Sequence, residues 1–303
     1  MFINGKFTDG KSTESIPVIN PATEEILDEV PRGTKADAHA AVAAASASFL
    51  DWKRAPANDR AAALHQVAAK IRAHHDEIVE LLTKEEGKPI PENDEEVWWV
   101  EETFDYYAEL ARHETGRVIP PGDPDQFNFV RKEPYGVVAC IVPWNFPLLL
   151  LAWKMAPALA AGNTVVIKPS ELTPLSTLKI VEVACDHLPP GVVNVVTGYG
   201  PEVGEPLVEH PDVPVIAFTG SLDIGKRIAS LAGSMMKKLH LELGGKDPMV
   251  IAPDIDLNVA VSAAAYAALL NAGQVCTSTE RVYVHESIFG QFSEKLVDFV
   301  SNL

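Results

Sequence analysis

The segment GVVACIVPWNFPLLLLAWKMAPALAAGNTVVIK, residues 136–168, decides the fold class of the chain. It begins with a short apolar run rich in valine, continues into a helical pattern near 147–161, and ends with a second apolar run, NTVVIK. A strand that is apolar along its whole length is typical of a parallel sheet covered on both faces, and a helical connection favours parallel strands. The segment therefore predicts a β-α-β unit.

The same alternation of apolar runs and helical patterns continues downstream. The further runs are GVVNVV, VPVIAF and KLHLEL, and helices are predicted near 174–187, 202–209 and 222–236. We therefore expect an α/β fold with a doubly wound, Rossmann-type parallel sheet. Such sheets bind their ligands at the carboxyl ends of the strands.

The part of the chain before this sheet predicts short strands followed by helical patterns at 34–50, 57–85 and 92–113. The middle pattern is interpreted as one helix because apolar residues recur on one face, at Leu64, Val67, Ile71, Ile78 and Leu82. Proline and glycine in VIPPGDPD, 118–125, predict a loop, and the alternation in QFNFVRKEPYG, 126–136, predicts a hairpin.

Composition narrows the class of protein. The chain has 303 residues, 47% of them hydrophobic, and a formal net charge of −17, which argues against binding to nucleic acid or anionic lipid. Three cysteines without tight spacing argue against a disulfide framework and against a zinc cluster. No secretory signal precedes the first strand, and the apolar run 146–162 contains Pro147, Lys154 and Pro157. We expect a cytoplasmic protein with no metal and no membrane partner.

Polar side chains follow the first two strands of the predicted sheet. In PWNFP, Asn145 lies between two prolines that restrict its backbone, so its amide is suited to donate to a developing oxyanion. The alternative is that Asn145 caps the next helix. In KPSE, Lys168 and Glu171 are suited to hold ribose hydroxyls, and a solvated ion pair is the alternative.

The fourth strand runs into AFTGSLDIGKR, residues 217–227. Gly220 and Ser221 precede a helix whose N-terminal N–H groups would face a phosphate, and Gly225 would allow close packing of that helix. The pattern also matches most of a P-loop, but Arg227 stands where a P-loop needs serine or threonine for magnesium. A phosphate site is predicted, and a P-loop nucleotidase remains the alternative.

The last two motifs carry a carboxylate and a thiol. In LHLELGGKDP, Glu242 ends an apolar run, where burial would raise its pKa and suit a general base; a paired structural glutamate is the alternative. Cys276 follows a Gly-Gln turn, after a helix predicted over 256–273 and just before the strand RVYVH. That location predicts an exposed sulfur, which a thiol nucleophile requires.

These motifs occur in the order PWNFP, KPSE, FTGS with Gly225, LELGGKDP and GQVC, and with them the chain resembles the NAD(P)-dependent aldehyde dehydrogenase superfamily over essentially its whole length. The resemblance implies that Cys276 is the nucleophile, that Glu242 is the general base, and that Asn145 and the Cys276 N–H form the oxyanion hole. It implies cofactor contacts from Trp144, Lys168, Ser170, Glu171, Gly220, Ser221, Gly225, Leu243 and Gly244. Since Glu171 would repel a 2′-phosphate, we expect NAD rather than NADP.

The resemblance also implies a domain organisation. Residues 1–125 and 137–244 would form the NAD-binding domain, 126–136 an oligomerisation hairpin of a homo-oligomer, and 245–303 the first part of a catalytic domain. Family members continue well beyond the final VSNL, so we expect a truncated chain whose catalytic domain is incomplete. The expected activity is oxidation of an aldehyde with NAD; the alternative is a non-catalytic remnant that at most binds NAD.

Overall fold

A computed structural model of the chain describes residues 1–113 and 115–303, which divide into two compact units, Met1–Glu242 and Leu243–Leu303. The strands are β1 (Phe2–Ile3), β2 (Lys6–Phe7), β3 (Ser15–Ile19), β4 (Ile26–Pro31), β5 (Arg117–Ile119), β6 (Asn128–Val130), β7 (Val137–Ile141), β8 (Thr164–Lys168), β9 (Val193–Val195), β10 (Val215–Gly220), β11 (Lys238–Leu243), β12 (Asp247–Ile251) and β13 (Thr279–Val284). The α-helices are α1 (Lys35–Arg54), α2 (Ala57–Ala73), α3 (His75–Glu86), α4 (Ile90–Ala111), α5 (Pro147–Ala160), α6 (Leu175–Ala184), α7 (Glu205–Glu209), α8 (Leu222–Ser234), α9 (Leu257–Leu269) and α10 (Phe289–Val300).

The central sheet has the strand order β11-β10-β7-β8-β9-β1-β2. Strands β10, β7, β8 and β9 pair in parallel, and β1 pairs antiparallel with both β9 and β2. Chain order runs from β7 through β8 to β9 on one side, whereas β10 lies on the other side of β7. This reversal next to β7 is a topological switch point, where open α/β sheets bind ligands. The predicted α/β class is confirmed, with an antiparallel edge that was not predicted.

Helices cover the sheet and complete its core. Strands β7 and β8 are buried at every residue, and α1 and α5 both pack against them. Helices α2, α4 and α5 pack against one another. The largest fully buried apolar side chains of this core include Leu64, Ile71, Phe104, Leu148, Met155 and Ile167. The apolar runs in the sequence are therefore buried because they lie beneath helices.

The helical pattern at 57–85 is wrong as one helix, although its apolar stripe is buried as predicted. The chain breaks at His74, whose φ of −114° and ψ of 19° end α2 and precede α3. Asp76 and Glu77 then occupy the first turn of α3, where negative side chains favour a new N-terminus. Helix α3 ends at Glu86, and its C-cap Gly87 adopts a left-handed φ of 88°.

The hairpin predicted at 126–136 is also displaced. Strand β6 pairs with β5, which lies upstream and extends to Ile119, inside the stretch predicted as a loop. The register joins Arg117 to Val130 and Ile119 to Asn128. Prolines 120 and 121 cannot donate hydrogen bonds to a ladder, so β5 ends before them and only the tip remains irregular.

Helices α2 and α3 face an acidic stripe on α4. The His65 ring contacts Asp105 at 2.6 Å and Glu109 at 2.8 Å, and the His75 ring contacts Glu101 at 2.8 Å and Asp94 at 2.9 Å. Hydrogen bonding to Asp105 raises the pKa of His65; for His75, burial lowers the pKa, but hydrogen bonds to Glu101 and Asp94 outweigh it and the net direction is upward. Both rings therefore favour the protonated form in the folded chain.

Raised histidine pKa values predict a pH dependence of folding. The stabilisation is fully present below the ordinary histidine pKa of 6.5 and is lost as the pH rises through the higher folded values. We expect the free energy of unfolding to fall by at most about 1 kcal/mol between about pH 6 and pH 9 from this source, since both rings are partly exposed. Urea unfolding across that range measures it. A double variant, His65→Gln with His75→Gln, should flatten the profile; an unchanged slope would contradict the assignment.

The second unit has its own small core. Strands β12 and β13 pair in parallel, with Met249 opposite Val282, and α9 and α10 pack against each other. The buried apolar side chains that cluster in this core are Ile251, Ala260, Val261, Ala264 and Phe292. Asp256 caps α9 by accepting from the N–H of Asn258 at 2.8 Å. Within residues 1–113 and 115–303, no helix combines the length and apolar character needed to cross a membrane.

Candidate active site

A pocket of about 520 Å³ lies at the carboxyl ends of β7, β8 and β10, beside the switch point of the sheet. The residues that line it come from three separate predicted motifs, because parallel strands bring their carboxyl ends to one edge. The predicted cofactor contacts that share this lining are Trp144, Lys168, Ser170, Glu171, Gly220 and Ser221. Gly225 is buried inside α8.

The Lys168 ammonium group is buried at the end of β8. Its Nζ donates to the carbonyl oxygen of Pro169 at 2.7 Å and lies 3.5 Å from Glu171 Oε2. Burial lowers the pKa of Lys168, and the Glu171 carboxylate opposes that shift. Glu171 itself is 37% exposed in its side chain, so its oxygens face the pocket and solvent. In this ion pair the Lys168 ammonium group is therefore buried, whereas the Glu171 carboxylate is accessible.

Gly220 connects β10 to α8 where a side chain would not fit. A Cβ at this position would lie 2.5 Å from Cζ of Phe218, whose ring also lines the pocket. Ser221 is the N-cap of α8, and its hydroxyl accepts from the N–H of Ile224 at 3.4 Å. The first turn of α8 consequently faces the pocket with N–H groups and the positive end of a helix dipole, which suits a phosphate.

Another wall of the pocket was not predicted. It is formed by the turn Gly200–Gly204, by Glu205 and Val208 of α7, and by Arg227 of α8. Arg227 makes a two-pronged ion pair with Glu205, with N–O distances of 2.7 and 3.0 Å to the two carboxylate oxygens. The signal in the sequence was GPEVG after the third strand, a glycine-rich turn placed at a strand end.

The P-loop alternative is wrong. A P-loop wraps a phosphate with a run of loop residues between strand and helix. Here α8 begins at Leu222, so Ser221 alone separates β10 from the helix. Gly225 and Lys226 belong to the helix, and Arg227 pairs with Glu205.

Asn145 lies between β7 and α5, and it does not cap the helix. The N-cap of α5 is Phe146, with no side-chain capping bond, and Pro147 occupies the first helical position. The N–H groups of Leu148 and Leu149 are instead bound by the carboxylate of Glu96 on α4. The capping alternative for Asn145 is therefore excluded.

Cys276 is exposed in a tight loop of the second unit, as predicted. The predicted helix over 256–273 ends at Leu269, and the chain then turns through Asn271, Ala272 and Gly273, with φ values of 47°, 55° and 80°. Ser278, on the far side of the loop, is buried and donates from its N–H to the carbonyl of Val275 at 3.1 Å. These left-handed residues and this turn hold the thiol outside the packed core.

The glycine turn of LELGGKDP adjoins this loop within the second unit. A Cβ on Gly245 would lie 3.4 Å from the carbonyl oxygen of Cys276, and Asp247 pairs with Thr279 where β12 and β13 begin. Leu243 is partly buried and Gly244 is exposed. The cysteine and glycine motifs, distant in the sequence, therefore meet at the start of one small sheet.

Glu242 is not buried, contrary to the expectation from its apolar run. Its side chain is 55% exposed, and Oε1 lies 3.4 Å from Nε2 of His240. Strand β11 is at the edge of the central sheet, and its exposure alternates, with Lys238, His240 and Glu242 outward. The carboxylate is thus accessible to solvent.

The first unit is thus a doubly wound α/β domain with a pocket at its switch point, bounded by a helix N-terminus, which is where such sheets bind ligands. Residues 7–303 match the model of the aldehyde dehydrogenase family, and the chain belongs to that family. Its resemblance to the superfamily, first seen in the motifs, is thereby confirmed.

Individual relatives and solved structures are similar to this chain over its whole length. Betaine aldehyde dehydrogenase 1 of Oryza sativa subsp. japonica is 43% identical over all of this chain and 62% of its own length. An E. coli NADP-dependent enzyme of known crystal structure is 38% identical in sequence to this chain. The two structures superpose with a TM-score of 0.98 over all of this chain and 63% of the E. coli chain. An NAD+ complex of an aldehyde dehydrogenase from Bacillus cereus is 39% identical, with a TM-score of 0.97 over all of this chain and 62% of its own. The chain therefore spans a little over three fifths of the length of these relatives.

Proposed function

We propose that this chain carries the cofactor site and the nucleophile of an enzyme that oxidises an aldehyde to a carboxylic acid with NAD. The observation that carries the proposal is the exposed thiol of Cys276 beside the Gly244–Gly245 turn, in a chain whose other two cysteines are buried. Family membership supports the reaction class. The names of relatives such as the rice betaine aldehyde dehydrogenase support an aldehyde as substrate.

The residues of the pocket fit a dinucleotide. The pocket has the size for the adenosine and phosphate portions, and the close contact between Gly220 and Phe218 leaves backbone rather than side chain facing the phosphates. In this proposal Lys168 and Glu171 hold the ribose hydroxyls, and the N-terminus of α8 holds the pyrophosphate. Bound NAD supplies the hydride acceptor.

Three protein groups have separate roles in the proposed reaction. The Cys276 thiolate adds to the aldehyde carbon and forms a thiohemiacetal, and Asn145 with the Cys276 N–H stabilises the oxyanion, an effect worth roughly 3 kcal/mol per donor. Loss of hydride from that carbon leaves a thioester on Cys276. Glu242 then takes a proton from water, which attacks the thioester and releases the acid.

The test is NADH formation by the purified protein with a panel of aldehydes, including aminoaldehydes and betaine aldehyde. Glu242→Gln is expected to accumulate the thioester, which mass spectrometry would detect on the peptide that contains Cys276. Binding of NAD without NADH formation and without a thioester would favour the alternative of a non-catalytic NAD-binding protein.

Cofactor preference is expected to depend on Glu171. Its accessible carboxylate accepts hydrogen bonds from a ribose 2′-hydroxyl and repels a 2′-phosphate, so NAD should bind about 10- to 100-fold more tightly than NADP. Fluorescence titration with each cofactor measures the ratio without any turnover. Glu171→Gln should narrow the ratio, and equal affinities in the unaltered protein would contradict it.

We also propose that the β5–β6 hairpin joins copies of the chain into a homo-oligomer. It carries exposed apolar side chains, among them Val118, Phe127 and Phe129, which are 69%, 72% and 63% exposed. Clustered apolar exposure of this kind marks protein contacts. Light scattering should give a mass above that of one chain, and Phe127→Ser with Phe129→Ser should reduce it; a monomer before substitution would contradict the proposal.

A further inference from the structure

The junction between α3 and α4 carries a charge cluster that is fully buried. Its members are Glu86, Lys88 and Glu96, whose side chains are all 0% exposed. Lys88 Nζ lies 3.2 Å from Glu86 Oε2 and in direct contact with Glu96 Oε2. Burying an ammonium group is costly unless it is well paired, so this cluster needs an explanation beyond general packing.

Lys88 reaches from this cluster to the turn that carries Asn145. Its Nζ donates to the carbonyl oxygen of Asn145 at 3.3 Å and lies 3.9 Å from the centroid of the Phe146 ring. A cation held this close to a ring face is attracted to it, an effect that strengthens when the cation is desolvated. One ammonium group therefore contacts two consecutive residues of the turn.

Glu96 fixes the same turn from its helical side. While Oε2 binds Lys88, Oε1 accepts from the N–H groups of Leu148 and Leu149, each at 3.0 Å. Pro147 has no N–H, so this carboxylate binds the first two N–H groups that α5 offers. A single side chain thus joins the lysine to the start of the helix.

Within the cluster, Lys88 lies closer to Glu96 than to Glu86. Burial raises the pKa of Glu86, which favours the neutral form of that carboxyl. The ion pair is then formed by Lys88 and Glu96, the two members that contact the turn.

A neighbouring cap shows that the lysine is not needed merely to start a helix. Glu85 is also buried, and it accepts from the N–H groups of Leu175 at 2.7 Å and Ser176 at 3.0 Å at the start of α6. The hydroxyl of Ser176 donates to the same carboxylate, and no hydrogen bond or ion pair in the described residues joins a lysine to it. At α5, Lys88 makes an additional contact, with the backbone carbonyl of Asn145 just upstream of the helix.

We propose that Lys88 and Glu96 are positioning residues which fix the backbone of residues 145–149, so that the Asn145 amide keeps the orientation required of an oxyanion donor. This inference rests on the role proposed above for Asn145. Neither side chain touches substrate in this scheme; both act through the turn.

The kinetic test uses Lys88→Met, which keeps an unbranched side chain one atom shorter and removes its charge, and the milder Glu96→Gln. Each is expected to lower the single-turnover rate of thioester formation by about 10- to 100-fold, because misorienting an oxyanion donor forfeits part of the 100- to 1,000-fold that such a donor supplies. The affinity for NAD should stay unchanged. In an Asn145→Ala background, Lys88→Met should add no further loss, since it acts through that amide.

A second measurement does not depend on activity. Hydrogen exchange of the Leu148 and Leu149 amides should accelerate in both variants. The matched control is Trp52→Phe, which removes a buried hydrogen bond of 3.2 Å to the carbonyl of Leu159 at the other end of α5 and should leave exchange at 148–149 and thioester formation unchanged.

The outcomes separate the two proposals. If the unaltered protein forms no thioester, the proposed function fails, and exchange at 148–149 alone decides whether Lys88 and Glu96 hold the turn. If the protein is active but losses from Lys88→Met and Asn145→Ala multiply, or exchange stays unchanged, the positioning role is overturned.

Discussion

Replacing Cys276 by serine is expected to lower aldehyde oxidation by at least about a thousandfold, because a serine hydroxyl without an activating base is a far weaker nucleophile near neutral pH. Binding of NAD should survive, since the described residues that line the pocket proposed for the cofactor belong to the first unit. Stability should change by no more than about 0.5 kcal/mol, because the side chain is exposed. NADH formation, NAD titration and urea unfolding on the same preparations measure the three effects.

The chemistry at Cys276 can be separated from that of the other thiols. Cys140 and Cys185 are buried, and burial raises the pKa of each to about 12, so neither forms a thiolate readily. A thiol reagent should therefore label one site in the folded chain, and Cys276→Ser should abolish that labelling. The control is Thr277→Ser in the same exposed loop, which should keep both labelling and oxidation. Full oxidation by Cys276→Ser would remove the cysteine from the mechanism.

The central strands could be predicted because burial on both faces leaves an unbroken apolar run. Strands β7 and β8 are buried at every position, and eight of their ten residues are apolar. The same rule gave a wrong prediction of burial for β11. KLHLEL alternates apolar with polar residues, the period of a strand with one solvated face, and the structure exposes Lys238, His240 and Glu242 on an edge strand.

The pocket could be predicted in part. Residues at strand ends, such as Lys168 and Gly220, follow apolar runs and carry a local signal. Arg227 and Glu205 belong to different helices, and only the packing of α7 beside α8 brings them together. A local pattern contains no information about such a pair.

Lys88 and Glu96 show the same limit more strongly. Lys88 lies just before α4 and Glu96 lies within it, both in polar stretches of sequence. Charged residues in such stretches are ordinarily exposed to solvent. Their burial follows from the approach of α4 to the start of α5, and the two N–H groups they help to satisfy lie more than fifty residues downstream. Tertiary contact, not local sequence, assigns them a role.

Among the glycines that line the pocket proposed for the cofactor, Gly220 has the least room for a side chain. Its virtual Cβ would lie 2.5, 3.1 and 3.2 Å from three atoms of the Phe218 ring, and approaches below 3.0 Å force a shift. Phe218 is 5% exposed, so the space into which its ring can move lies mainly on the side of the pocket that it lines. The displacement would be directed into the pocket that both residues line, or into the turn that starts α8.

Gly220→Val is therefore expected to weaken NAD binding by about 10- to 100-fold, since overpacking of this kind typically costs about 1–3 kcal/mol and the shift falls where the pyrophosphate is proposed to bind. Gly233→Ala is the matched control, because Gly233 lies in the same helix α8 with nothing within 4 Å of its virtual Cβ. That change should keep NAD affinity and stabilise the helix by about 0.5–1 kcal/mol. Calorimetric titration of both variants with NAD compares them directly. If Gly220→Val binds NAD as tightly as Gly233→Ala does, the phosphate groups do not lie against this turn, and the cofactor must approach the sheet elsewhere.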